Sequence, residues 1–202
     1  MIEYIYNDKN GIYDKETFDA VRKSVNRQRI IPSVSKIRLT SFRPITRLDL
    51  FDKVLEVENL EFLTFFPHLT DLQIRSRRIR DIAPLAHVPN VTMLFLYDMS
   101  IDSLEPLLNL HKLNHLFMHN VNIRNKDFSV MSKLKSVEVM AAENCGITDI
   151  DWITGMKSLK TIGLDGNAIV DFSPIRNTKN LKIFSHDEGI FTAPFDKLPF
   201  LV

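Results

Sequence analysis

The chain has 202 residues, 45% of them apolar, with 26 Lys and Arg against 25 Asp and Glu. That length fits one domain with a continuous core, and a formal net charge of +1 supplies no bulk drive toward nucleic acid or an anionic membrane. The lone Cys145 rules out an internal disulfide framework, no apolar run approaches the ~18 residues of a membrane helix, and Met1-Ile2-Glu3-Tyr4 does not open a signal peptide. The expectation from composition is a cytoplasmic protein with no membrane segment.

Residues 1–33 are non-repetitive. Ile2, Tyr4 and Tyr6 alternate, Asn7 to Gly11 reads as a turn, and Ile12-Tyr13 resumes, the pattern of a hairpin. Phe18, Val21 and Val25 then recur at helical spacing, with Asp14 as N-cap and Pro32 as terminator. This segment is expected to cap the domain, a separate binding arm being the competing reading. Val34, Ile37 and Leu39 open a repetitive region that runs to residue 190. Its first unit has 35 residues (69 minus 34), and the surplus from Phe51 to Phe65 is expected to form a longer helix on the outer side. The alternative gives Leu48 and Leu50 a strand of their own.

From residue 69 one apolar pattern is written twice. Leu69, Leu72, Ile74, Ile79, Ile82, Leu85 and Val88 fall at offsets 1, 4, 6, 11, 14, 17 and 20, and Val91, Leu94, Leu96, Ile101, Leu104, Leu107 and Leu110 repeat them 22 residues later. Further units begin at Leu113, Val137, Leu159 and Leu181; the one from Leu113 is 24 long (137 minus 113), its extra residues lying near Asn125-Lys126. Residues 191–202, with Phe191, Phe195, Leu198 and Leu201, lose the pattern and are expected to form a C-terminal cap.

A fixed period near 22 with L-x-x-L-x-L at its head is the signature of leucine-rich repeats. The segment Ile79-Arg80-Asp81-Ile82-Ala83-Pro84-Leu85, echoed loosely from Ile101 to Leu107, resembles the internalin type of bacterial repeat. The resemblance covers residues 34–190 and implies an α/β solenoid. Such an arc has parallel strands on its concave side, helices or turns on its convex side, and a cap at each end. It also implies Asn at offset 9, where this chain has Arg77, Met99, Val121, Cys145, Asn167 and Gly189. Five of the six turns therefore need other partners for their backbone groups.

Signs of catalysis are scarce. The chain has no phosphate-cradling glycine loop, no H-E-x-x-H and no nucleophile elbow. His111, His115 and His119 are spaced four apart, but the repeat puts the last two on or just beyond a strand, not on a helix face where they would share a metal. Cys145 sits at a core position, and Asp81, Asp149 and Asp171 sit where turns begin. The expectation is a non-enzyme without metal or cofactor.

The informative residues lie at offsets 3, 5 and 7, where strand alternation points side chains away from the stacked core. In repeat order they are Lys36, Arg38, Thr40; Asp71, Gln73, Arg75; Met93, Phe95, Tyr97; His115, Phe117, His119; Val139, Ala141, Glu143; Thr161, Gly163, Asp165; Ile183, Ser185, Asp187. The first end is basic, aided by Arg77; the middle is aromatic; the last end is acidic. Parallel strands ~4.8 Å apart would set Phe95 beside Phe117 and Tyr97 beside His119. An apolar patch of that size, with Arg nearby, has the composition of a protein-interface centre.

The expected function is therefore recognition of a protein partner. Phe95, Phe117 and Tyr97 would anchor it, with Met93, His115 and His119 around them. Arg38, Arg75 and Arg77 would meet acidic groups of the partner, and Glu143, Asp165 and Asp187 basic ones. A cytosolic regulator, such as an immunity protein neutralising a toxin, is the narrower expectation. Nucleic-acid binding through the Arg75–Arg78 cluster and the aromatics is the alternative, and self-association through the patch stays open. Two plainer readings compete with all of these: a cap that folds over the patch, or a register shifted by one that buries it.

Overall fold

The computed structural model describes residues 19–21, 23–25, 44–51, 57–187 and 189–192. Eight strands form one sheet in sequence order: β1 (Arg47–Leu50), β2 (Asp71–Arg75), β3 (Met93–Ile101), β4 (His115–Ile123), β5 (Val139–Glu143), β6 (Thr161–Gly163), β7 (Ile183–His186) and β8 (Gly189–Thr192). All neighbouring pairs are parallel except β7 and β8, which close the sheet as an antiparallel hairpin. Each parallel crossover carries one five-residue 3-10 turn, at Glu61–Phe65, Ala83–His87, Glu105–Asn109, Ser129–Lys133, Asp151–Gly155 and Ser173–Asn177. The arc is thus an open leucine-rich-repeat solenoid, with turns rather than long helices on its outer side.

Register explains the core. Leu48, Leu72, Leu94, Leu116, Met140, Ile162 and Phe184 pair across successive strands as one buried column. Leu50, Ile74, Leu96, Met118 and Ala142 form a second. Each repeat covers the apolar edge of the one before it, so burial passes along the chain instead of converging on a centre.

The same register corrects the first unit. Leu48 and Leu50 pair with Leu72 and Ile74, so the strand beside β2 belongs to a repeat headed by Ile45. Phe51 to Phe65 is not one long outer helix: Phe51 directly follows β1, residues 57–60 are non-helical, and a 3-10 turn begins at Glu61. Leu48 and Leu50 alternate with Arg47 and Asp49 as a half-buried strand requires, and pairing with β2 stabilises that choice. The earlier strand positions, including Arg38, lie outside the described residues, as do the expected hairpin, Asp14, Pro32 and most of residues 191–202.

Helical residues 19–21 and 23–25 place Ala20, Val21 and Val25 in the core. Buried Ser24 accepts the Asp49 N–H at 2.7 Å, so this segment satisfies a donor of β1 on the side away from β2. Farther along, a column of short polar side chains starts the 3-10 turns. Asp81 accepts the Ala83 N–H at 2.8 Å, Asp149 that of Asp151 at 3.0 Å and Asp171 that of Ser173 at 2.7 Å. These carboxylates terminate one segment and start the next, as their positions in the repeat predict. Pro84, Pro106 and Pro174 occupy first-turn positions, where a missing N–H costs no hydrogen bond.

Four of the five turns without Asn use three other devices. In the second repeat buried Ser76, one residue earlier, donates to the Val57 carbonyl at 2.5 Å and accepts the Arg78 N–H at 3.0 Å. In the third and fourth, β3 and β4 run on for nine residues, pairing Met99 with Val121 and Ile101 with Ile123. Asp98 and Asn120 take φ of 50° and 53° to allow this, conformations that Asp and Asn tolerate better than other side chains. Cys145 fills the position with a buried thiol that donates weakly to the carbonyls of Glu143 at 3.3 Å and Met118 at 3.8 Å. Its own N–H is bonded at 3.0 Å by Asn167 of the next repeat, which also donates to the carbonyls of Ala142 and Leu164.

Candidate functional site

In the first five residues of β3 and β4 the odd positions carry Met93, Phe95, Tyr97, His115, Phe117 and His119, and the even positions are leucine or methionine in the core. Phe95 pairs in register with Phe117, Met93 with His115 and Tyr97 with His119. All six are half-buried rather than enclosed. The rings of Phe95 and Phe117 stack at 4.6 Å with 12° between planes, Phe95 and Tyr97 lie 8° from parallel, and His115 and Phe117 differ by 23°. Stacking at about the strand spacing turns ring faces toward neighbouring strands and ring edges toward solvent. The result is a ridge of C–H edges across the centre of the concave face.

Phe51 extends the ridge. Its ring meets Tyr97 edge-on at 5.0 Å, and the Arg75 guanidinium stands 5.8 Å from its centroid. Sequence reasoning missed Phe51 because it counted the first repeat from Val34. Counting from Ile45, Leu48 and Leu50 puts Phe51 at offset 7, the position of Arg75 and Tyr97, so the signal was there.

The charged residues fare differently from one another. Arg75 Nε donates to Asp98 at 2.7 Å, and the Arg75 side chain is only 12% exposed, so it braces the ridge more than it faces a ligand. A hydrogen bond from Asn120, and then the Arg75 hydrogen bond and charge, hold the Asp98 carboxyl below its usual range against the opposing effect of burial. Arg77 is exposed beyond the strand end, and Arg78 pairs with Glu58. At the far end Glu143 lies 3.2 Å from His119 Nδ1, Asp165 accepts Ser185 Oγ at 3.0 Å, and Asp187 accepts the Gly166 N–H at 2.7 Å. Burial, then the carboxylates of Glu143 and Asp49, raise the Tyr97 phenol above its ordinary value.

Other candidate chemistry is set by burial. Desolvation pushes the Cys145 thiol up to about 11, so it stays protonated at neutral pH. No cluster of three His, Cys, Asp or Glu suited to a metal occurs among the described residues, and no described helix is long and apolar enough to cross a membrane.

The sequence matches no protein-family model and no curated protein. Solved structures with the same architecture include internalins from Listeria monocytogenes. InlF matches with a TM-score of 0.64 at 20% identity over 88% of this chain and 57% of its own. InlC2 gives 0.51 at 18% over 87% and 94%, and InlP 0.65 at 15% over 84% and 51%. The chain spans little more than half the length of the InlF and InlP structures. In fold, this chain is an internalin-like leucine-rich-repeat solenoid.

Proposed function

We propose that the protein is a non-enzymatic binding module that recognises a protein partner through the concave face of β3 and β4. The observation that carries this reading is the ridge of Phe95, Phe117 and Tyr97, flanked by Met93, His115 and His119, held half-exposed on a sheet whose other face is fully packed. Rigid aromatic groups lose little conformational freedom on binding and commonly supply most of an interface's energy. Arg77 at one end and Glu143, Asp165 and Asp187 at the other would steer approach and fix orientation.

A nucleic-acid reading draws less support. Stacking successive bases needs a row of open ring faces, whereas Phe95 and Phe117 each have one face covered by the other. Arg75 and Arg78 already have carboxylate partners. The narrower role of cytosolic regulator or toxin-neutralising protein rests on composition, above all the lone buried cysteine.

Affinity capture from cells of the source organism, comparing the wild type with a Phe95→Ala/Phe117→Ala double variant, tests the reading. A protein retained by the first and lost by the second is expected, with mild salt dependence. Equal capture by both, or a salt slope steep enough to count several phosphate contacts, would contradict it. Sedimentation of the purified chain shows whether a second copy is the occupant.

A further inference from the structure

The ridge ends abruptly at β5. Phe117 pairs with Ala141, which pairs with Gly163, which pairs with Ser185, so the row that holds two stacked phenyl rings continues in the smallest side chains. One face of the Phe117 ring packs on Phe95 at 4.6 Å, and its other face looks along the sheet over Ala141. At Gly163 an added Cβ would lie 2.9 Å from Ser185 Oγ and 3.8 Å from Asp165 Oδ2, so hydroxyl and carboxylate lean over that glycine. They form a low far wall about two strand spacings, roughly 10 Å, from Phe117. That leaves room for one flat group between ring and wall.

The charges around this niche share one sign. Glu143 stands on the same strand and face as Ala141, and Asp165 follows Gly163. Strands β5 to β7 present no Lys or Arg on their concave side among the described residues. Among the described residues, the Glu143 carboxylate meets only His119 and that of Asp165 only Ser185, whereas a carboxylate has about four acceptor positions. An open aromatic face beside carboxylates suits a flat cation that stacks and donates several hydrogen bonds at once. That is the chemistry of a guanidinium and not of a compact ammonium.

The geometry points to a niche between Phe117 and Asp165, floored by Ala141, that takes an arginine side chain of the protein partner. This rests on the concave-face reading above and gives the partner a chemical feature: an arginine placed next to the apolar surface that covers the ridge.

Titration of the whole protein with N-acetyl-arginine amide, followed by NMR at the Ala141 methyl and the Phe117 ring, is the test. Saturable shifts confined to those groups are expected, with N-acetyl-citrulline amide, the neutral isostere, binding about fivefold or more weakly. Ala141→Leu, read at the Phe117 ring, should abolish the shift by filling the niche while leaving every charge in place, and Glu143→Gln should weaken the shifts in a chain whose thermal unfolding is unchanged. Equal shifts from citrulline, shifts centred elsewhere, or none at the solubility limit would overturn the niche. If capture of a partner by the Phe95/Phe117 ridge nevertheless holds, the interface survives without it; if both fail, the concave face itself is the wrong surface.

Discussion

The middle and the C-terminal end of the arc meet one demand, the bonding of backbone groups where each strand turns, in different ways. In the sixth repeat Asn167 does it with a single side chain that accepts from Cys145 and Ile147 and donates to Ala142 and Leu164. In the third and fourth repeats no Asn stands at that position, and the ladder between β3 and β4 resumes for three further pairs beyond Asp98 and Asn120, which take positive φ. The longer ladder extends the sheet past the C-terminal edge of the aromatic ridge. Asp98 also serves the ridge directly, because its carboxylate anchors the Arg75 guanidinium over the Phe51 ring. Where the repeat departs from its usual pattern, it has built support beside the half-buried aromatic ridge.

The contrast can be broken at several places. Leu116→Ala, in the buried column one residue from Phe117, should lower unfolding free energy by about 2–5 kcal/mol through the cavity it opens, measured by denaturant titration. Asn167→Ala should cost about 3 kcal/mol, since several buried backbone groups lose their partner together. Placing Asn at Met99 should not gain a comparable amount, because the extended ladder already satisfies that turn. Asp98→Asn keeps a residue that tolerates positive φ but weakens the Arg75 pair, and should cost about 1 kcal/mol or less at neutral pH. With the folded carboxyl depressed, its contribution is present above the ordinary carboxylate range and fades as pH falls through the lowered value. Wild type and Asp98→Asn should therefore converge in acid unfolding. A further effect, confined to alkaline pH, concerns Cys145: native protein should resist thiol alkylation at neutral pH. Stability should fall as pH rises from the usual thiol value of 9.0 toward about 11, where the unfolded chain ionises first.

Much of this was legible because a 22-residue period repeats offsets rather than residue names. Leu72, Leu94 and Leu116 announce one another, and strand alternation then places Phe95 and Phe117 on the opposite face without any further information. The first repeat was harder to place. Val34, Ile37 and Leu39 have the same spacing as Ile45, Leu48 and Leu50, and only pairing with β2 distinguishes the second set as its neighbour. Phe51 was lost with that choice. Arg75 read as a contact residue because its partner, Asp98, lies 23 positions away, where local pattern has nothing to say. Ser76, displaced by one from the expected amide position, was hidden for the opposite reason: a small polar residue at a strand end has many plausible uses.

Recognition through the ridge requires that the concave side chains of β3 and β4 face away from the stacked core. Phe117→Ala, measured on one preparation for both partner affinity and unfolding free energy, tests it most directly. Binding should weaken by about 2 kcal/mol or more while stability falls by no more than about 1 kcal/mol, the loss of one ring stack. A stability loss as large as that of Leu116→Ala, with binding unchanged in the molecules that remain folded, would contradict it.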